Sequence, residues 1–190
     1  MDRIILHCDL NSFYASVELR SHPDLRDVPT AVCGDPTSRH GIILAKNEPA
    51  KRFGVQTAET IWQARRKCPD LVLLPPHRDR YRHFCNIINN IYLQYTDLVE
   101  PFSIDEAYVD VSETDGLYGT PEEAAQSVSR QIRETLGFTV NIGISSNKLL
   151  AKMASDFQKP DRVHTLFPGD IPHKLWPLPV SDLFFVGRAS

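Results

Sequence analysis

No segment of this sequence approaches the roughly 18 consecutive apolar residues that a helix needs to cross a bilayer. The N-terminus has neither an apolar leader core nor a small-residue cleavage site. These two absences exclude a membrane span and predict a cytoplasmic location. Cysteine is scarce: Cys8, Cys33, Cys68 and Cys85 are widely spread, with no close pair. Such spacing excludes a disulfide scaffold and predicts reduced, mostly buried thiols. Neither sign of charge dominates, since 21 Lys+Arg against 24 Asp+Glu give a net charge of -3. That excludes a histone-like polycation and leaves room for a local basic groove. Repeats and low-complexity tracts are also missing.

What is present is an ordinary globular composition, 42% hydrophobic and 24% charged over 190 residues. At about 100–200 residues per domain, this fits one core or two small domains. The apolar run Ile4-Ile5-Leu6 predicts a buried strand over residues 3–9, followed by a helix from Ser12 or Phe13 to Leu19. Ser12 is a candidate cap for that helix. Residues 22–77 carry short elements broken by Pro23, Pro29, Pro36 and Gly54, which predicts a small lobe inserted beside a stronger core. Within it, extended runs over 30–33 and 41–45 precede a helical turn at 50–53 behind Pro49 and a helix capped by Thr60.

From Arg78 the pattern strengthens. Phe84, Ile87, Ile88, Ile91, Tyr92 and Tyr95 follow helical periodicity, and Ala124, Ala125, Val128, Ile132 and Leu136 repeat it between Pro121 and Gly137. Strands are expected over 99–102, 107–111 and 139–144, and a third helix beyond Ser146 or Asn147. The order predicts an α+β fold: a βαββαβ core with helices on one face of a mostly antiparallel sheet. The proline-punctuated tail ends on Leu183-Phe184-Phe185-Val186-Gly187-Arg188, four apolar residues with no evident partner. It is expected to begin a further domain.

Acidic residues interrupt the apolar strands. Asp9 closes the first, and Asp105 and Glu106 lie between two others. A strand-ending carboxylate can cap the next helix, and a paired one can mark a solvated turn. If the fold gathers them, burial demands balancing cations, and a divalent metal site is the economical answer. Two hard cations roughly 3.5–4 Å apart suit phosphoryl transfer, and carboxylates with a backbone carbonyl supply the oxygens Mg²⁺ prefers. Cys8 is expected to point into the core, and Asp110 to be structural or to support the metal ligands from behind without itself binding metal.

Three blocks then carry a resemblance. His7-Cys8-Asp9-Leu10-Asn11-Ser12-Phe13-Tyr14-Ala15-Ser16-Val17-Glu18, Ser103-Ile104-Asp105-Glu106-Ala107-Tyr108 and Asn141-Ile142-Gly143-Ile144-Ser145-Ser146-Asn147-Lys148 resemble, in this order, motifs of the Y-family translesion DNA polymerases of the bacterial polymerase IV kind. The resemblance implies a polymerase palm of ferredoxin-like topology in residues 1–11 and 78–166, fingers in 12–77, and the start of a thumb in 167–190. A little finger domain is expected to be absent from this chain. It further implies template-directed DNA synthesis with two Mg²⁺ ions held by Asp9, Asp105, Glu106 and the Leu10 carbonyl. Primer–template DNA and a deoxynucleoside triphosphate (dNTP) are the implied partners, with a sliding clamp reached through sequence beyond this chain.

For the nucleotide, the resemblance implies Phe13, Tyr14 as a gate against the 2′-hydroxyl, Lys51, Lys159, and Ile42 and Leu44 under the nascent base pair. For DNA it implies Ser103, Asn147, Lys148 and Lys152, although a solvated helix face explains the last three equally. Glu48 and Lys51 depart from the Tyr and Arg common in the family, and Lys51 lacks an arginine's bidentate fork. Two other classes remain open: a nucleotide cyclase with a similar palm and paired carboxylates, and a non-catalytic polymerase-like protein that binds DNA or partners.

Overall fold

The computed structural model describes residues 3–35, 41–114 and 117–186. Pro36 and the Gly187-Arg188 end of the apolar tail lie outside the described residues. In chain order the first elements are β1 (Ile5–Leu10), α1 (Phe13–Leu19), β2 (Thr30–Cys33), β3 (Ile43–Lys46), α2 (Glu48–Arg52), α3 (Ile61–Lys67) and β4 (Val72–Leu74). They are followed by α4 (Arg78–Tyr92), β5 (Val99–Pro101), β6 (Glu106–Asp110), α5 (Pro121–Leu136), β7 (Val140–Ser145), α6 (Lys148–Asp156), β8 (Val163–Thr165) and α7 (Ile171–Lys174). Two compact units result, one of residues 1–11 and 85–190, the other of residues 12–84.

The first unit is α+β. Its sheet runs β5-β6-β1-β7-β8, antiparallel throughout except for the parallel β7–β8 pair. The order β1, α4, β5, β6, α5, β7 is the expected βαββαβ core, with α6 and β8 added. Every residue of β1 and β7 is buried, so the central strands are covered on both faces. This corrects the expectation of helices on one face. Cys8 meets Tyr92 of α4, and burial pushes its thiol up to about 12; His7, on the opposite face, meets Ser155 of α6. Gly143 pairs with His7 across β1–β7. A Cβ there would stand 1.9 Å from the Ala151 carbonyl oxygen and 2.4 Å from the Ser155 nitrogen, so only glycine lets α6 lie this close.

α5 forms as its sequence demands. Thr120 and Glu123 make a reciprocal capping box, Pro121 opens the first turn, and Gly137 closes the helix at φ 72°. Arg3 and Ser112 hold Asp110, which is structural as expected. The tail differs from expectation. Ile171, Leu175, Leu178, Leu183 and Phe184 pack against the cluster of Leu150, Met153, Ala154 and Leu166, so the outer face of α6 supplies the partners, while Phe185 stays exposed.

The second unit holds a sheet of order β3-β2-β4, with β2–β3 antiparallel and β2–β4 parallel. Ala31, Cys33, Ile43, Ala50, Val55, Ile61, Ala64, Cys68 and Leu71 form its core. Asn47 caps α2 and also accepts the Thr30 N–H at 3.0 Å. Ser12 corrects the capping expectation: it sits at φ 50° and makes no side-chain cap bond. The boundary between the two compact units falls inside α4; on the second unit's side of it, His77 and Tyr81 bond to buried Glu18. Tyr81 donates its hydroxyl to Glu18 Oε1 at 2.6 Å, and the His77 N–H donates to the same oxygen at 3.1 Å.

Candidate active site

Antiparallel pairing of β1 with β6 sets Asp9 directly opposite Glu106. The Leu10 N–H donates to the Asp105 carbonyl at 3.0 Å, so the residue before β6 is tied to the end of β1. Three carboxylates distant along the chain therefore gather at one end of the sheet. Lys152 of α6, only 7% exposed, reaches in from the next layer. Its ammonium lies 3.2 Å from Glu106 Oε2, 3.7 Å from Asp9 Oδ2 and 3.4 Å from Asp156 Oδ2. Lys159 donates to Asp9 Oδ2 and lies 2.9 Å from Asp156 Oδ1. The segment bearing it is anchored by Asn141, which donates to the carbonyls of Ser155 and Gln158, and by Asn11, which accepts the Asp161 N–H.

These contacts divide the carboxylates. Burial alone would raise Glu106, but the bond from His7 and the Lys152 charge outweigh it and hold the acid at about 2. Asp105 moves the opposite way. Burial raises it, repulsion from Asp9 and Glu106 adds to the rise, and the Ser103 hydroxyl, donating at 2.6 Å, offsets only part. Lys159 is raised although burial opposes it, because Asp9 and Asp156 favour its charged form.

Among the described residues, no group of three His, Cys, Asp or Glu side chains forms a ready-made metal cage; two ammonium groups balance the carboxylates instead. The donor chemistry nevertheless fits Mg²⁺. Asp9, Asp105, Glu106 and the Leu10 carbonyl offer hard oxygens only, and the like-charge repulsion that raises Asp105 is what a divalent cation relieves.

The remaining predicted residues fall in several places. Lys152 requires a correction: it lies neither on a solvated face nor on a surface open to DNA, because the spacing that buries α6 against the sheet turns its amine onto the carboxylates. Phe13 is a core residue, 2% exposed. Asn147 caps α6, accepting the Leu150 N–H at 2.9 Å. Lys148 pairs with Glu100 and stands 5.6 Å from the Tyr108 ring centre. Ser103 uses its hydroxyl hydrogen on Asp105.

In the residue 12–84 unit, Lys51 pairs with Glu48 one helical turn away, so the unexpected acid has a partner in its own helix. Ile42 is exposed and Leu44 half-buried. Tyr14 is half-buried and stacks on Tyr81 with ring centres 4.0 Å apart and planes 8° from parallel. Sequence reasoning missed His7 and Asp156. The i,i+4 spacing of Lys152 and Asp156 was an available signal; a lone histidine in an apolar strand was not.

Comparison with known proteins decides the family. The sequence profile described as the impB/mucB/samB family matches residues 8–156. The chain belongs to this family. Its relatives include DNA polymerase IV of Acetivibrio thermocellus, 49% identical over 190 residues, covering 100% of the chain and 48% of that protein. DNA polymerase IV 1 of Bacillus subtilis is 45% identical over 189 residues, covering 99% of the chain and 45% of the relative. Among solved structures, DinB from Sulfolobus solfataricus superimposes with a TM-score of 0.89 at 29% identity, covering 98% of this chain and 55% of that one. An insertion ternary complex of Dbh DNA polymerase gives 0.88 at the same identity, with the same two coverages. The chain thus spans about half the length of the family members it matches, and its α+β architecture is theirs.

Proposed function

We propose that this chain is the catalytic core of a template-directed DNA polymerase of the translesion type, which transfers a nucleotide from a dNTP to a primer 3′-hydroxyl and releases pyrophosphate. The observation that carries the reading is the gathering of Asp9, Asp105 and Glu106 at one sheet end, in a chain of this family. Residues 1–11 and 78–166 then serve as palm, 12–77 as fingers and 167–190 as the start of a thumb. The whole protein works in the cytoplasm on primer–template DNA, at the nucleoid, with a sliding clamp as a further partner.

Asp9, Asp105, Glu106 and the Leu10 carbonyl would hold two Mg²⁺ ions, which supply charge neutralisation of the triphosphate and activation of the attacking hydroxyl. Glu106, held at about 2, is ionised at neutral pH and far too weak a base to take the hydroxyl proton. That proton leaves through water. Lys159 stays cationic, favoured by Asp9 and Asp156, and offers its charge to the triphosphate. Lys152 keeps Glu106 ionised from behind. Tyr14, five residues beyond Asp9, excludes the ribose 2′-hydroxyl by bulk, and Lys51 contacts phosphate. Ile42 and Leu44 lie beneath the base pair, while Ser103, Asn147 and Lys148 contact DNA.

The test is primer extension by the whole protein, with Mg²⁺ and the four dNTPs on a defined template, because this half-length chain alone is expected to be weak or inactive. Template-dependent addition without any cyclic nucleotide is expected. Formation of a cyclic nucleotide, or DNA binding with no extension under any divalent cation, overturns the reading.

A further inference from the structure

His7 is an anomaly on β1. It is fully buried in a strand whose neighbours are Ile5, Leu6 and Cys8, and a buried imidazole requires partners for both ring nitrogens. It has them. Nε2 lies 3.0 Å from Glu106 Oε2, and Nδ1 lies 2.8 Å from Ser155 Oγ. Ser155, itself fully buried, donates to the Lys152 carbonyl at 2.7 Å, so this hydroxyl is tied to the backbone of α6. The imidazole also lies against Tyr108, its cross-strand partner, at 4.9 Å between ring centres. A carboxylate ion can only accept a hydrogen bond, so Nε2 carries hydrogen and donates to Glu106.

Both close contacts on Glu106 fall on one oxygen. His7 at 3.0 Å and Lys152 at 3.2 Å share Oε2. We infer that His7 is the positioning residue of Glu106: braced by Ser155 and Tyr108, it grips Oε2 from inside the fold and presents Oε1 as the oxygen that meets the cation. This inference rests on the metal role proposed for Glu106. Outer-shell partners of ligating carboxylates tune affinity by about 10- to 100-fold, and His7 stands in that relation to Glu106 without touching substrate.

The test uses the full chain with Mn²⁺ as the probe, titrated by electron paramagnetic resonance, alongside the wild type and Asp105→Asn. His7→Phe keeps a ring against Tyr108 and removes the donor; Mn²⁺ affinity is expected to fall roughly 10-fold or more. His7→Gln restores a donor and should recover part of the loss. Ser155→Ala, a smaller change away from the carboxylates, is expected to weaken Mn²⁺ about threefold while the protein stays folded. Wild-type affinity within twofold in a folded His7→Phe overturns the inference; if that variant does not fold, unchanged affinity in Ser155→Ala does so. Should the wild type and Asp105→Asn bind Mn²⁺ equally, the metal role itself fails. The clamp is then read separately by NMR: a protected imidazole Nε2–H that is lost in Glu106→Ala supports it, and a freely exchanging one overturns it.

Discussion

Asp105→Asn is expected to abolish template-dependent extension, by roughly a thousandfold or more, equivalent to about 4 kcal/mol of transition-state stabilisation. The amide preserves the shape of the side chain and can still accept the Ser103 hydroxyl, so the loss comes from charge. Stability should move the other way. The folded protein raises the Asp105 acid above its ordinary value through burial and the neighbouring carboxylates, so its ionisation costs folding free energy at pH above the raised value. Removing that charge leaves the thermal midpoint at neutral pH unchanged or higher. An inactive variant that also unfolds would instead indicate a structural role, and a folded variant with normal activity would remove Asp105 from the chemistry.

Tyr14→Ala has the second large expected effect: ribonucleotide incorporation relative to deoxynucleotide should rise by roughly 100-fold, the scale on which shape alone discriminates a single small group. The side chain is well suited to the task because it is not free to yield. It lies flat on Tyr81, and Tyr81 is fixed by its hydroxyl bond to buried Glu18. Single-nucleotide incorporation kinetics with paired ribo- and deoxynucleotides measure the ratio directly. An unchanged ratio in an active variant rejects Tyr14 as the gate.

Much of this architecture was legible in the sequence. Pro121, Gly137 and the stripe from Ala124 to Leu136 defined α5 almost to the residue, because caps and periodicity are local signals. Asp9, Asp105 and Glu106 were noticeable because each ends or interrupts an apolar strand. What stayed hidden was set by long-range packing. β4 and β8 are three residues long, too short for a period to show, and depend on parallel pairing with β2 and β7. Lys152 follows Leu150 in a helix whose buried face is chosen by Gly143 on another strand, so its inward aim could not be read from α6 alone. Leu183 and Phe184 looked orphaned for the same reason, their partners being Met153 and Leu166.

The most direct test of the central claim is a crystal structure of the protein with Mn²⁺ and a dNTP, with the ions located by anomalous scattering. The account predicts two peaks near the end of β1, with oxygens of Asp9 and Asp105 at roughly the 2.0–2.1 Å typical of small hard divalent cations, and the Lys159 ammonium moved from Asp9 to the triphosphate. Saturating Mn²⁺ found elsewhere, with Lys159 still on Asp9 and the three carboxylates bare of metal, would contradict it.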